Sequence, residues 1–176
     1  MKILPKKFSC IILLIALVVA FIRAVLLLVD HHNANQALQY FENRDSDSFV
    51  TVTGRLKEFD WAVYGSKHDK TNPREKCNIY YFHFDFEEYG YPYNMDEYVG
   101  VRLDREALEI ARKNGLEEKL EIGCEMKFTC DPYVDGPLGH GYWTPILALW
   151  IDGKEILSFE EGYSSLMRQL EVDCRS

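Results

Sequence analysis

The sequence predicts a mainly β domain of the α+β class behind an amino-terminal transmembrane helix. Residues 8–29 are almost entirely apolar, which is typical of a membrane-spanning helix. Several later segments alternate apolar and polar residues with the period of two that strands require. Between those strands, residues 104–115 show the apolar spacing of an amphipathic helix. Together these patterns predict a strand-rich domain that follows the anchor.

The insertion free energy of residues 8–29 is favourable although the stretch carries one charge, Arg23. A helix of 22 residues reaches about 33 Å, and a hydrocarbon core is about 30 Å thick. Sixteen of the residues are Leu, Ile, Val or Phe, each contributing roughly −0.3 to −0.6 kcal/mol, whereas an arginine costs about 2.5–3.5 kcal/mol. The apolar sum exceeds the cost of the arginine, so we expect a single-pass anchor.

Three lysines before the anchor, Lys2, Lys6 and Lys7, predict its orientation. Positive flanks stay on the cytoplasmic side, so residues 1–7 are expected in the cytoplasm and the domain outside it. A cleavable signal peptide is the alternative, because basic residues before a short apolar run fit that pattern as well. Cleavage after Ala24 would leave a strongly apolar new terminus, Val-Leu-Leu-Leu-Val, which favours the uncleaved anchor.

The chain beyond residue 30 is strongly acidic. Four of the 20 basic residues and one of the 28 acidic residues precede residue 31, which leaves 16 basic and 27 acidic residues, a net charge of −11. Such a domain repels nucleic-acid phosphates and anionic lipid surfaces. A basic protein, a cation or a small neutral ligand remains compatible with this charge.

Four cysteines lie outside the anchor: Cys77, Cys124, Cys130 and Cys174. An outward-facing domain permits disulfides. Cys124 and Cys130 share a predicted strand, which would hold them about 20 Å apart, and a bridge needs Cα atoms within about 7 Å. The candidate linkage is therefore Cys77 with Cys124 or Cys130, and four unpaired thiols are the alternative.

Residues 30–48 are predicted to form a helical stalk or linker. Ala34, Ala37, Leu38 and Phe41 repeat at helical spacing directly after the anchor. Residues 45–48, Asp-Ser-Asp-Ser, then interrupt the pattern.

Strand patterns follow the stalk, with the first strand at 49–59 and Gly54 as a candidate bulge. Further strands are predicted at 77–86, 98–103 and 122–133, and a hairpin around Asp152-Gly153 covers 146–159. The hairpin carries apolar residues on both faces, so we expect Trp150 to be buried.

One helix is predicted between the third and fourth strands. Asp104 is a suitable N-cap, and Ala107, Leu108 and Ala111 form an apolar stripe. Gly115 marks its end. Residues 164–176 are predicted to be a tail or a short helix.

This order of elements resembles the OB fold, a partly open five-stranded barrel. The resemblance implies an OB-like β-barrel over residues 49–163, with one helix between strands 3 and 4. It further implies a ligand face on strands 2 and 3, between the loops 60–76 and 135–143. The candidate ligand-binding residues are Trp61, Tyr64, Tyr81, His83, Asp85, His140, Tyr142 and Trp143. Aromatic rings beside polar groups suit sugars, peptides or stacked rings, and the alternative is that these rings fill the barrel.

No catalytic motif is present in the sequence, and no cofactor is indicated. Suitable metal-ligand types occur at His83, Asp85, Asp131, Asp135 and His140, but their spacing matches no metal-binding pattern. The sequence therefore predicts a non-enzymatic, outward-facing acidic binding or interaction module of the cell envelope. An acidic inhibitor or immunity-type protein that neutralises a basic partner is one alternative, and a metal-assisted hydrolase is another.

Overall fold

The computed structural model describes residues 6–62, 76–85, 100–131 and 143–175 of the chain. Its helices are α1 (Lys6–Glu42), α2 (Arg105–Lys113), α3 (Leu116–Lys119) and α4 (Phe159–Asp173), with a 3-10 turn at Ser46–Ser48. Its strands are β1 (Val50–Ala62), β2 (Ile79–Asp85), β3 (Gly100–Asp104), β4 (Glu125–Cys130), β5 (Trp143–Pro145), β6 (Ala148–Ile151) and β7 (Lys154–Leu157). The predicted α+β class and the long apolar amino-terminal helix are confirmed.

Helix α1 is long and apolar enough to cross a membrane. Its described part has a window of mean hydropathy 3.2, none of which is buried inside the protein. The helix continues without a break through the beginning of the predicted stalk and ends at Glu42. Near that end Ala37 and Phe41 are buried, so the last turns of α1 pack against the domain.

The strands form a seven-stranded open mixed sheet in the order β5-β3-β2-β1-β4-β6-β7. All described neighbours are antiparallel except β3 and β5. Five strands in a barrel were predicted; the described strands number seven and form an open sheet, and β5 precedes the predicted strand that begins at residue 146. Ile146 N–H donates to Arg102 O in β3 (2.9 Å), whereas Leu147 N–H donates to Thr129 O in β4 (2.8 Å). Pro145, which ends β5, has no N–H to donate, and the change of partner from β3 to β4 follows between Ile146 and Leu147.

A β-bulge at Lys57 reverses the alternation of β1. Val52, Gly54 and Leu56 are buried before it, and the register with β2 shifts between Leu56 and Glu58. One extra residue turns every later side chain to the opposite face. The bulge was predicted at Gly54, but Gly54 pairs regularly with β4.

The main core lies between the inner face of the sheet and helices α2 and α3. The predicted stripe of α2 is buried, at Ala107, Leu108 and Ala111. Gly115 has φ +95° and ends this helix, as expected for a residue at a helix C-terminus. Leu116, which is fully buried, then begins α3. Two helices rather than one therefore separate β3 from β4, because the turn at Gly115 is tight enough for the chain to resume a helix.

Helix α4 begins five residues earlier than predicted, at Phe159. Ser158 and Glu161 form a capping box, in which each side chain accepts a hydrogen bond from the other residue's backbone N–H. The domain boundary expected at residue 163 therefore falls inside a helix. This helix packs on the end of α1 in a second apolar cluster, the junction cluster, which consists of Ala37, Phe41, Leu147, Leu166 and Leu170.

Candidate binding face

Strand β2 separates apolar from polar side chains most clearly. Tyr80 and Phe82 are completely buried in the main core. Successive strand residues point to opposite faces, so Tyr81 and His83 lie on the other side of the sheet, where both are half-buried. This side therefore presents a phenol and an imidazole.

The bulge adds two carboxylates to the same side of the sheet. Beyond it, Phe59 and Trp61 pack against the main core, so the residues that alternate with them, Glu58 and Asp60, face the opposite way. On β3 the same alternation buries the two neighbours of Arg102 and leaves Arg102 half-buried on that side. We call the five residues Glu58, Asp60, Tyr81, His83 and Arg102 the outer face.

The strand register places these five residues in two rows. Tyr81 lies opposite Asp60 on one side and opposite Arg102 on the other. His83 lies opposite Glu58. Neighbouring strands are about 4.7–4.9 Å apart, which is within the range of cross-strand side-chain interaction. The first row therefore presents a carboxylate, a phenol and a guanidinium, and the second presents a carboxylate and an imidazole.

This arrangement suits a polar ligand with both hydrogen-bond donors and acceptors. Arg102 supplies donors in a planar fork, Glu58 and Asp60 supply acceptors, and Tyr81 supplies both functions beside an aromatic ring. Over the described ranges, no group of three or more His, Cys, Asp or Glu residues could hold a metal ion. The outer face therefore offers hydrogen-bond donors and acceptors on both sides of an aromatic ring.

A partly buried polar network anchors β2 beneath the outer face. The hydroxyl of Tyr80 donates to Glu117 Oε1, and Arg112 Nη2 donates to the same hydroxyl (3.3 Å). Arg112 also pairs with Glu117 (3.2 Å) and lies 5.2 Å above the Tyr80 ring. These contacts tie the strand that carries Tyr81 and His83 to helices α2 and α3.

The predicted ligand-binding residues divide into three groups. Tyr81 and His83 lie on the outer face, and Asp85 ends the same strand opposite Arg55. Trp143 begins β5 with its Cα opposite Gly100. Tyr64, His140 and Tyr142 lie outside the described residues.

Two tryptophans lie elsewhere than the sequence predicted. Trp61 was expected in a loop but belongs to β1, because the strand continues to pair with β2 as far as Ala62. Its ring lies 6.0 Å from that of Phe59 at the main core. Trp150 was expected to be buried but is half-buried. Lys127 Nζ lies 5.1 Å above its ring, on the solvent side of β4 and β6.

The metal ligands considered from the sequence do not share one place. Asp131 follows the end of β4 and pairs with Arg44 at 3.2 Å. His83 lies opposite Glu58 of β1. Cys130, the residue before Asp131, lies opposite Val50, which is eight residues earlier in β1 than Glu58. That is about 26 Å along the strand. Asp135 and His140 lie outside the described residues.

The cysteines Cys77, Cys124, Cys130 and Cys174 occur as thiols. The carbonyl of Cys124 accepts from Leu56 N–H, whereas Ile79, two residues after Cys77, pairs with Ala62. The two positions on β1, Leu56 beside Cys124 and Ala62 near Cys77, are about 20 Å apart, whereas a disulfide needs Cα atoms within about 7 Å. Burial raises the pKa of the Cys77 and Cys124 thiols, which keeps them protonated at neutral pH.

Sequence reasoning missed Glu58, Asp60 and Arg102 as members of the site. The signal for the two carboxylates is a change of phase within one strand, from buried even positions up to Leu56 to core-facing odd positions at Phe59. No protein-family model, curated protein sequence or solved structure matches this chain. The chemistry of the outer face is therefore the basis for assigning a function.

Proposed function

We propose that the protein is a membrane-anchored binding module of the cell envelope whose outer face binds a protein segment or a small neutral ligand. The observation that carries this proposal is the row of Asp60, Tyr81 and Arg102 across three neighbouring strands. Helix α1 serves as the anchor, and Lys2, Lys6 and Lys7, which precede its apolar stretch, orient the domain outward. The function is recognition rather than catalysis.

The burial of these polar groups supports a binding role. On β4 the outward side chains Glu125 and Lys127 are exposed, as expected of residues that only keep a sheet soluble. On the outer face Asp60, Tyr81 and Arg102 are half-buried instead. Partial burial restricts the rotamers of polar side chains and prepares them to hold a ligand in one orientation.

We further propose that the sheet curls in the manner of an OB fold. Strands β3 and β4 are not neighbours in the sheet order, yet Ile146 bonds to one and Leu147 to the other. A continuous segment formed by β5 and β6 would then bridge the two sides of a curled sheet. In such a fold the face of strands 2 and 3 is the usual ligand surface, and this is where Tyr81 and Arg102 lie.

Site-specific photo-crosslinking of the full chain in its native membrane tests the binding role. A photoreactive phenylalanine derivative replaces Tyr81 in one variant and the exposed Glu155 of β7 in the control. We expect a discrete adduct from position 81, which disappears when Arg102→Gln is added, and none from position 155. Equal labelling at both positions, or none at position 81, would contradict the proposal.

The orientation needs a test of its own. Alkaline phosphatase fused after residue 176 should be active, because this enzyme folds only outside the cytoplasm. A fusion that is inactive although the chain is inserted in the membrane would place the domain in the cytoplasm.

An acidic inhibitor of a basic partner is the second candidate, and the charge of the α2–α3 region favours it. The exposed acidic residues of this region are Glu106, Glu109, Glu117, Glu118 and Glu121. A charge-driven complex should lose affinity steeply as salt rises, because screening at 1 M shortens the Debye length to about 3 Å. Capture of a partner that survives high salt would favour the outer face instead.

A further inference from the structure

The end of the membrane helix is buried as deeply as the main core. Ala37 is 1% exposed and Phe41 is 2% exposed, and both belong to the junction cluster together with Leu166 and Leu170 of α4. Leu147, which lies between β5 and β6, belongs to the same cluster and is fully buried. The last turns of α1 are therefore a part of the folded domain as well as of the anchor.

Aromatic rings surround this contact and one hydrogen bond closes it. The ring of Phe49 lies 6.4 Å from that of Phe41, 5.4 Å from that of Phe159 and 5.9 Å from that of Tyr163. The hydroxyl of Tyr163 donates to Phe41 O at 2.6 Å. Carbonyls in the last turn of a helix have no partner within it, so this bond joins the end of α1 directly to α4.

An ion pair attaches the chain that follows α1 to the sheet. Arg44 Nη2 lies 3.2 Å from Asp131 Oδ2, and only 5% of the Asp131 side chain is exposed. The guanidinium also lies 4.9 Å above the ring of Tyr40, within α1 itself. Arg44 therefore contacts both the membrane helix and the residue that follows β4.

The route continues from α4 to the outer face. Gly162 packs so closely on Leu147 that a Cβ atom at this glycine would lie 2.1 Å from Leu147 O. The preceding residue, Ile146, donates its N–H to Arg102 O at 2.9 Å. Residues 146 and 147, the β5–β6 connection, therefore link the junction cluster to the backbone of Arg102 on the outer face.

We propose that these contacts form a rigid coupling, by which the membrane helix and the outer face move as one body. The end of α1, helix α4 and the β5–β6 connection are its parts. The coupling holds the face in one orientation relative to the bilayer, where a flexible linker would allow every orientation. It does not depend on what the face binds, so it stands or fails separately from the proposed function.

Distance measurements between paired spin labels test the coupling in the full chain reconstituted in nanodiscs. Labels carried by non-natural residues at Leu27 and Glu155 report on the anchor and the domain, and both positions are exposed. Labels at Lys57 and Glu155 serve as the control within the domain. We expect the anchor-to-domain distance distribution to be as narrow as the control distribution.

Two variants separate rigid coupling from a helix that happens to be stiff. A Gly-Gly-Gly-Ser insertion after Asn33 lies before the packed residues, so it should leave the domain folded and broaden the anchor-to-domain distribution at least about twofold. Phe41→Ala should broaden it as well, without changing the Lys57–Glu155 control. The proposal is overturned if the unmodified chain is already as broad as the insertion variant, or if Phe41→Ala leaves the distribution narrow. If Phe41→Ala also broadens the Lys57–Glu155 control distribution, the proposal is judged by comparing the unmodified chain with the insertion variant.

Discussion

The main core and the junction cluster are both apolar, but they are assembled from different parts of the chain. Among the residues that the structure describes, 20 are buried in the main core, most of them on adjacent strands and on the two short helices beside them. The junction cluster contains five, drawn from the end of α1, the β5–β6 connection and α4. A small cluster formed by distant segments depends on each of its contacts more heavily.

The main core and the junction cluster differ in the polar and backbone contacts that accompany their apolar packing. In the main core, alternation along the strands produces most of the packing, and the polar contacts of Tyr80 with Glu117 and Arg112 are added where the core meets α2 and α3. The junction adds a buried ion pair, a hydrogen bond to a helix terminus and one glycine at a close backbone approach. Substitutions in these two regions should therefore differ in size and in kind.

Loss of the junction ion pair should have the largest effect. Arg44→Ala leaves the nearly buried Asp131 carboxylate without its cation, and removing one partner of a buried pair costs about 3–5 kcal/mol. Arg175→Ala is the control, because the Arg175–Glu171 pair is 79% and 51% exposed and should contribute less than about 1 kcal/mol. Chemical denaturation of both variants in detergent measures the difference. Equal losses would mean that the junction pair contributes no more than a surface pair.

Gly162→Ala should cause the second largest loss of stability. In an exposed helix this substitution stabilises by about 1 kcal/mol, but here the new methyl group meets the backbone of Leu147, which cannot move aside. We expect a loss of about 3 kcal/mol, at the upper end of the cost of overpacking. Gly153→Ala is the matched control, since nothing lies within 4 Å and only its φ of +77° opposes a side chain, at about 1–2 kcal/mol. A Gly162→Ala variant as stable as the natural chain would contradict the close approach.

Substitution of two tryptophans tests how much the main core contributes to stability. Trp61→Ala removes a ring that packs on the core beside Phe59, and we expect a loss of about 2–3 kcal/mol, below the value for a fully buried ring. Trp150→Ala removes a half-buried ring under Lys127, and about 1 kcal/mol is expected. Thermal melting of the two variants checks the order. The reverse order would restore the expectation from the sequence that Trp150 is the buried one.

The smallest effect concerns the start of α4 and depends on pH. Hydrogen bonds from Ser158 lower the pKa of Glu161 below its ordinary value of 4.5. A lowered pKa in the folded state contributes stability above pH 4.5 that is lost as the pH falls through the folded value. Glu161→Gln should therefore cost less than about 1 kcal/mol at pH 7, since the group is exposed, and less than that at pH 3, where more of the carboxyl is protonated. Denaturation curves at both pH values measure this, and a difference that grows in acid would contradict it.

Local patterns in the sequence predicted the parts of the fold that local chemistry determines. The stripe of α2, the alternation of β2 and the Asp152-Gly153 turn, where both residues have positive φ, depend on neighbouring residues alone. On the outer face, Tyr81 and His83 followed from the same alternation.

The remaining features depend on contacts between distant segments. Arg102 lies opposite Tyr81 because of the register between β2 and β3, and no sequence pattern within β3 predicts that register. Strand β5, which precedes the predicted strand at 146–151, exists because residues 143–145 pair with β3, a partner more than 40 residues earlier in the chain. The contact of Gly162 with Leu147 likewise exists only after α4 has docked.

The bulge at Lys57 gives β1 one more residue than the part of β2 beside it. A missense change at this codon leaves that number unchanged, so Phe59 and Trp61 stay toward the core. A three-nucleotide deletion of the codon removes the extra residue and joins Leu56 to Glu58, so alternation runs unbroken and the same two rings still face the core. A residue inserted between Glu58 and Phe59 would instead turn both rings outward and Asp60 inward, and burying an unpaired carboxylate costs several kcal/mol. Among variants of this strand, in-frame insertions after the bulge should therefore be eliminated far more strictly than deletion of the Lys57 codon.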